Sequence, residues 1–114
     1  MTLRAKQSLF VQLVAQLIVH ARTLGVELTF GEAYRSPEEA ARLAALGKGI
    51  KASLHTSRLA IDLNLFKDGT YQSATAAHLE LGTFWEALNP LCRWGGRFKK
   101  PDGNHYSLTH GGRA

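Results

Sequence analysis

The sequence contains a single cysteine, Cys92, among its 114 residues, so no disulfide bond can form within the chain. A fold without disulfides is compatible with a reducing compartment. No apolar run approaches the roughly 18 residues needed to cross a bilayer, so we expect no membrane contact. Internal repeats, low-complexity segments and flexible linkers are also absent. We therefore expect one domain, residues 1–114, built around one hydrophobic core.

The N-terminus lacks the pattern of a secretory signal peptide. Gln12, Gln16 and His20 interrupt its apolar residues, which is typical of an amphipathic helix, and we expect cytoplasmic synthesis without a signal peptide. The net charge of +5 favours polyanionic partners such as nucleic acid or a bacterial wall. No nucleic-acid-binding motif accompanies this charge, so an RNA-binding function rests on charge alone and we expect no nucleic-acid partner.

The spacing of apolar residues predicts an α+β fold. Residues 3–24 repeat apolar side chains every three or four positions, which predicts a helix ended by Gly25. A mainly antiparallel sheet with helices on one face is the architecture that this order of elements favours. The remaining predicted elements are a strand at 26–30, a helix that begins with the capping box at Ser36 and Glu39, a strand at 59–65 with a hairpin turn at Asp68-Gly69, a helix at 76–88, and two short strands around "KKPDGN".

The strand at 59–65 carries a carboxylate among large apolar residues. Those apolar residues share one face, so Asp62 projects from the opposite face. His55 lies in the loop before this strand, and His105 begins the last strand. Two imidazoles and one carboxylate are a common ligand set for a catalytic zinc, with one position left for water. The pattern predicts a zinc site on the face opposite the helices, with Asp102 as the candidate general base.

Each part of this pattern has a simpler interpretation. "PDGN" is good turn chemistry, so Asp102 can serve the turn alone. His110 is a rival third ligand, although its glycine-rich tail is expected to be mobile and exposed. His20 and His78 lie on predicted helices and are expected to be surface residues. A cysteine peptidase built on Cys92 has little support, because no neighbour would activate this thiol.

Four segments of the chain carry a resemblance to a known family. They are "EAYRSPEEAARL" at 32–43, "SLHTSRLAID" at 53–62, "RWGGRF" at 93–98 and "DGNHYSL" at 102–108. In this order they resemble the motifs of the D-alanyl-D-alanine carboxypeptidase family of zinc peptidases, which includes phage endolysins that act as L-alanyl-D-glutamate peptidases. The resemblance implies the zinc-peptidase fold shared with the hedgehog signalling domain.

The resemblance also implies roles for individual residues. The implied zinc ligands are His55, Asp62 and His105. Asp102 becomes the general base by its match to the family's closing Asp/Glu-x-x-His. Arg35 matches the family arginine that binds substrate or steadies the developing oxyanion.

Three local interpretations stay open beside these roles. Arg35 can simply pair with Glu38 or Glu39. Ser53 can support a metal ligand or contact substrate, or it can merely satisfy the amides of its own loop. The family usually has glycine where this chain has Arg58, so the backbone conformation of that loop is open.

The implied function is hydrolysis of peptide bonds in the stem peptides of bacterial peptidoglycan, with zinc as cofactor. The short chain and an aspartate as base favour a phage-type endolysin that cuts L-Ala–D-Glu. The alternatives are a D-Ala-D-Ala carboxypeptidase and a non-catalytic module of the same fold that binds wall peptides. We expect a monomer that reaches the wall of a host cell after release, with help such as a phage holin.

Overall fold

The computed structural model describes residues 1–114, and its α+β architecture confirms the predicted fold class. Three short 3-10 turns, at Leu54–Ser57, Thr75–His78 and Gly95–Arg97, connect the main elements. No helix has both the length and the apolar character that crossing a membrane requires. The helices are α1 (Leu3–Thr23), α2 (Pro37–Ala45) and α3 (Leu79–Leu88), and the strands are β1 (Glu27–Phe30), β2 (Ala60–Lys67), β3 (Thr70–Tyr71), β4 (Cys92–Trp94) and β5 (His105–Leu108).

The five strands form one antiparallel sheet in the order β1-β2-β5-β4, with β3 paired to β2 through a tight hairpin. Asp68 and Gly69 both have positive φ, as a type I′ hairpin turn requires. In the central pair, Asp62 of β2 lies directly opposite His105 of β5. Residues paired in this way point to the same face of a sheet. The register therefore brings two of the predicted ligands together.

Helices α1 and α3 cover one face of the sheet and create the core. Trp85 of α3 is fully buried, and its Nε1 donates to the carbonyl oxygens of Arg93 and Ser107 at 3.0 and 3.2 Å. Trp94 is also buried, so both tryptophans are core residues, as the sequence favours. Burying this apolar face leaves the opposite face free for polar side chains. The helix residues of the core are Phe10, Leu13, Val14, Leu17, Ala21, Leu81 and Trp85, which meet Leu63, Leu65, Tyr106 and Leu108 of the sheet.

Two histidines differ from the sequence-based expectation. His78 is buried rather than exposed, because the 3-10 turn before α3 directs it inward, where its Nδ1 lies 2.8 Å from the hydroxyl of Tyr106. This burial lowers the pKa of His78. His110 is half-buried, with its Nδ1 3.1 Å from the Nζ of Lys6 on α1. The prediction of a surface position was wrong for His78, and His110 contacts α1 instead of lying exposed in a mobile tail.

Arg58 adopts the left-handed backbone conformation, with φ 56° and ψ 36°, at the end of the 3-10 turn that carries His55. Glycine adopts the left-handed conformation without strain, whereas this conformation costs other residues roughly 1–2 kcal/mol. The guanidinium of Arg58 lies 4.0 Å from the centroid of the Tyr34 ring, and such a contact returns about 0.5–1 kcal/mol. The loop thus keeps a glycine-like conformation despite the arginine, which answers the question raised by the sequence.

Candidate metal centre and cleft

Three potential metal ligands converge on the face of the sheet opposite the helices. The Nε2 of His55 lies 3.3 Å from Oδ1 of Asp62, and the Nδ1 of His105 lies 3.5 Å from the same oxygen. One donor atom of each residue falls within 4.8 Å of the others. The three residues lie on the 3-10 turn at Leu54–Ser57, on β2 and on β5, so the cluster forms only when the sheet is assembled.

The spacing of these donors fits a shared metal ion better than hydrogen bonds. Oδ1 of Asp62 is buried and has no hydrogen-bond partner, and its distances to the two imidazoles are long for such bonds. Ligand atoms about 2.0–2.1 Å from a tetrahedral zinc are about 3.3–3.4 Å apart. The observed separations of 3.3 and 3.5 Å agree with this value. The three side chains can therefore hold one metal ion.

The orientation of His55 is fixed by a bond on its other nitrogen. Its Nδ1 lies 3.2 Å from the carbonyl oxygen of Ala33. Since a carbonyl only accepts hydrogen bonds, Nδ1 carries a proton, and Nε2 is the nitrogen that can bind a metal once its own proton is lost. Partners of this kind hold the rings of metal-binding histidines in position.

The charges of the cluster depend on one another. Burial alone would raise the pKa of Asp62, but the two neighbouring imidazoles lower it to about 2. Burial alone would likewise lower the pKa of His55, yet the Asp62 carboxylate, the Ala33 carbonyl and the charge of Glu32 together outweigh it and raise that pKa. Without a metal, the pair favours an ionised carboxylate beside a protonated imidazole. A metal ion must displace that proton.

Asp102 lies on the wall of the same cleft. Its Oδ2 is 4.0 Å from the Nδ1 of His105, and its side chain is 57% exposed. Partial burial, followed by the negative charge of Asp62, raises the pKa of Asp102. A carboxylate with a raised pKa accepts protons more readily, as a general base must.

The turn from Asp102 to His105 is clamped by the Trp-Gly-Gly segment. Asp102 N donates to Gly95 O at 2.9 Å, and Trp94 Nε1 donates to Gly103 O at 2.7 Å. A Cβ atom on Gly95 would lie 2.2 Å from Asp102 O and 2.8 Å from the Cβ of His105. Only glycine therefore permits this close packing, and the clamp sets the position of both residues.

Replacing Gly95 with alanine is expected to weaken metal binding and activity together, because the new methyl group displaces Asp102 and His105. The overpacking should also lower the free energy of unfolding by roughly 1–3 kcal/mol. Metal titration and thermal unfolding provide the measurements. Gly25→Ala is the control: it strains a left-handed residue with no neighbour within 4 Å of the added Cβ. Metal affinity that falls equally in both variants would contradict a positioning role for Gly95.

Arg35 reaches the cleft from the segment that follows β1. Its backbone N–H donates to His55 O at 3.2 Å, and its Nη2 forms an ion pair with Oε1 of Glu32. Its Nε is buried without a partner, although the side chain is 14% exposed. The suggested pairing with the glutamates of α2 is wrong, since Glu39 binds Arg42 instead. Arg35 is thus held in place with donor capacity to spare.

Glu32 contacts the site although it was not among the six residues that the sequence assigned to it. Besides binding Arg35, its Oε1 lies 3.8 Å from the Nδ1 of His55, and its carbonyl accepts from Asp62 N at 2.8 Å. Its position three residues before Arg35 is a signal for a local ion pair. Glu32 connects the arginine to the ligand cluster.

Ser53 supports the loop that carries His55. Its Oγ accepts from His55 N at 3.2 Å, and its carbonyl oxygen accepts from both the N and the Oγ1 of Thr56, at 3.0 and 2.6 Å. Of the interpretations left open by the sequence, satisfaction of loop amides is the one that these contacts support. Ser53 also lines the cleft.

All six residues that the sequence assigned to the site line one cleft of about 550 Å³. Another surface cavity, of about 430 Å³, lies between α1 and β1 and contains no cluster of metal-binding side chains. The six are Arg35, Ser53, His55, Asp62, Asp102 and His105, and the rest of the lining includes Lys48, Ile50, Phe98, Lys100 and Pro101.

Comparison with known proteins identifies a family and a shared fold. A family model described as D-alanyl-D-alanine carboxypeptidase matches residues 47–108, more than half of the chain. No curated protein sequence matches. The chain is similar to the crystal structure of the Serratia marcescens L-Ala D-Glu endopeptidase ChiX, with a TM-score of 0.64 and 21% identity over 74% of this chain and 68% of that chain. At such identity the likeness concerns the fold. The match over residues 47–108 shows that the chain belongs to the D-alanyl-D-alanine carboxypeptidase family of peptidases.

Proposed function

We propose that residues 1–114 form a single zinc-dependent peptidase domain that hydrolyses stem peptides of bacterial peptidoglycan, preferably at the L-Ala–D-Glu bond. The observation that carries the proposal is the donor cluster of His55, Asp62 and His105 at one cleft. Family membership supports peptide hydrolysis. The shared fold with ChiX, which is described as an L-Ala D-Glu endopeptidase, supports the choice of bond.

In this proposal each residue of the cleft has a separate role in hydrolysis. A zinc ion held by His55, Asp62 and His105 would supply the Lewis acid for the scissile carbonyl. Asp102 accepts a proton from the attacking water and passes it to the leaving amine. Arg35, held by Glu32, presents its remaining donors to a substrate carboxylate or to the developing oxyanion.

The test is digestion of Gram-negative-type peptidoglycan with and without a chelator, followed by mass analysis of the fragments. Endopeptidase action releases stem peptides that begin with D-Glu and leaves L-Ala on the glycan. Release of free D-alanine alone would identify a carboxypeptidase, the activity named in the description of the family model. A zinc-loaded protein that releases nothing would be a binding module.

Arg35→Lys is expected to reduce kcat/KM by roughly 10- to 100-fold although the positive charge remains. Lysine cannot reproduce the planar fork of the guanidinium, so charge-assisted hydrogen bonds to the substrate are lost. Steady-state kinetics on a defined stem peptide gives the measurement. Arg42→Lys is the matched control, because Arg42 is also paired with a nearby glutamate but lies outside the cleft. Equal kinetics for Arg35→Lys and the wild type would exclude this role.

Zinc affinity is expected to fall as the pH is lowered from 8 to 5. The raised pKa of His55 in the metal-free protein means that protons compete with zinc at pH values above the usual histidine range near 6.5. Asp62, with a pKa of about 2, stays ionised throughout this window and adds no slope. Competition with a chromophoric chelator measures the effect, which should reach about tenfold per pH unit for each proton displaced.

His110→Ala serves as the control for this titration, since His110 is the rival ligand and lies outside the donor cluster. The variant should keep both the affinity and the slope of the wild type. A flat titration of the wild type would rule out ligation by histidine.

A further inference from the structure

The cleft has an excess of positive charge once the three potential ligands are set aside. Its other charged side chains are the cations Lys48 and Lys100, the carboxylate Asp102, and Arg35, whose charge is matched by its ion pair with Glu32. No ion pair of the structure contains a lysine, so neither Lys48 nor Lys100 has a carboxylate oxygen within 4.0 Å. The ion pairs formed by arginines involve Glu32, Glu39 and Glu86. Cations grouped in a concave site attract anionic ligands.

The two lysines lie on opposite walls of the cleft. Lys48 follows α2, beside Gly49, where an added Cβ would lie 3.3 Å from Nη1 of Arg35. Lys100 lies between the 3-10 turn at Gly95–Arg97 and β5. Strands β1 and β5 lie on opposite sides of β2, which carries Asp62. The chain segment after β1 and the segment before β5 therefore form opposite walls of the cleft, with Asp62 between them. A peptide in the cleft meets a cation on each side.

We propose that Lys48 and Lys100 determine substrate specificity by binding two free carboxylates that branch from the linked chain of a substrate peptide. The inference rests on the proposed function and narrows its substrate class. A γ-linked D-glutamate leaves its α-carboxylate as a branch, and diaminopimelate carries another. Stem peptides with both carboxylates free are therefore the preferred substrates, and amidation of either one removes a partner of one lysine.

The chain supplies a matched control for each lysine. Lys51 and Lys99 are exposed neighbours of equal charge that do not line the cleft. Comparing Lys48→Gln with Lys51→Gln, and Lys100→Gln with Lys99→Gln, changes the net charge equally within each pair. A difference in kcat/KM within a pair therefore reflects the position of the lysine, because both variants lose the same long-range attraction for the substrate.

The experiment measures kcat/KM for the wild type and these four variants on stem peptides with both carboxylates free, with either one amidated, and with both amidated. Each amidation should raise KM of the wild type roughly fivefold with little change in kcat. Lys48→Gln and Lys100→Gln should each raise KM on the free peptide by a similar factor and become insensitive to one amidation. The two control variants should behave as the wild type.

Binding of the product dipeptide γ-D-Glu-diaminopimelate to the protein as purified separates this inference from the proposed function. Binding that weakens on amidation and in the two cleft variants, without cleavage of any stem peptide, supports the carboxylate sites and overturns the peptidase. Cleavage with equal KM values within each lysine pair leaves the peptidase standing and overturns the inference. Cleft variants that stay fully sensitive to both amidations overturn it as well.

Discussion

Treatment with a strong zinc chelator is expected to abolish peptidase activity, and added zinc is expected to restore it. The cleft gathers two imidazoles and one carboxylate, and the buried Asp62 Oδ1 has no other partner. Protein purified without metal stripping should contain about one zinc per chain, as three protein ligands with an open fourth position imply. Elemental analysis and a recovery assay with zinc provide the two measurements.

The variant that tests the ligands directly is His55→Ala combined with Asp62→Ala. It should lose the metal, whereas His20→Ala should keep it, because His20 stacks on Phe84 at 3.8 Å outside the cleft. Zinc should also raise the melting temperature of the wild type but not of the double variant. A ligand present at 1,000 times its Kd adds about 4 kcal/mol to stability. Zinc that remains stoichiometric in the double variant would refute this ligand set.

The proximity of two members of the donor cluster could be predicted from the sequence because their pattern is local. Alternation along β2 placed Asp62 opposite the apolar face, and a short loop kept His55 close to that strand. The pairing of Asp62 with His105 was less accessible, since it joins strands separated by α3 and β4. The order of the family motifs indicated this long-range contact, and the pairing register of β2 and β5 is its physical cause.

Features that depend on tertiary packing escaped prediction. His78 lies in a helical pattern, yet a 3-10 turn directs it onto Tyr106 in the core. The clamp on Asp102 depends on the missing side chain of Gly95, a close approach that spacing alone does not reveal. Lys48 resembles any surface lysine in the sequence, and only the fold places it at the cleft.

Asp102→Asn is expected to lower kcat by roughly 10²–10⁴ while zinc stays bound, because asparagine keeps the shape of the side chain but cannot accept a proton from water. The fold should survive, since the turn is held by backbone bonds from Asp102 N to Gly95 O and from His105 N to Asp102 O. Asp68→Asn is the matched control, an exposed aspartate in the β2–β3 hairpin turn, far from the cleft along the strand.

The pH profile distinguishes a base from a turn residue. Asp102 can accept a proton from water only as a carboxylate, so it becomes inactive when a falling pH protonates it. The kcat of the wild type, measured at saturating zinc so that loss of the metal does not contribute, should therefore decline on the acid side, and the residual rate of Asp102→Asn should lack this limb. A variant with near-native kcat would reduce Asp102 to a turn former. Glu32, the remaining carboxylate beside His55, would then be tested by Glu32→Gln, with loss of the acid limb as the sign that the base had been found.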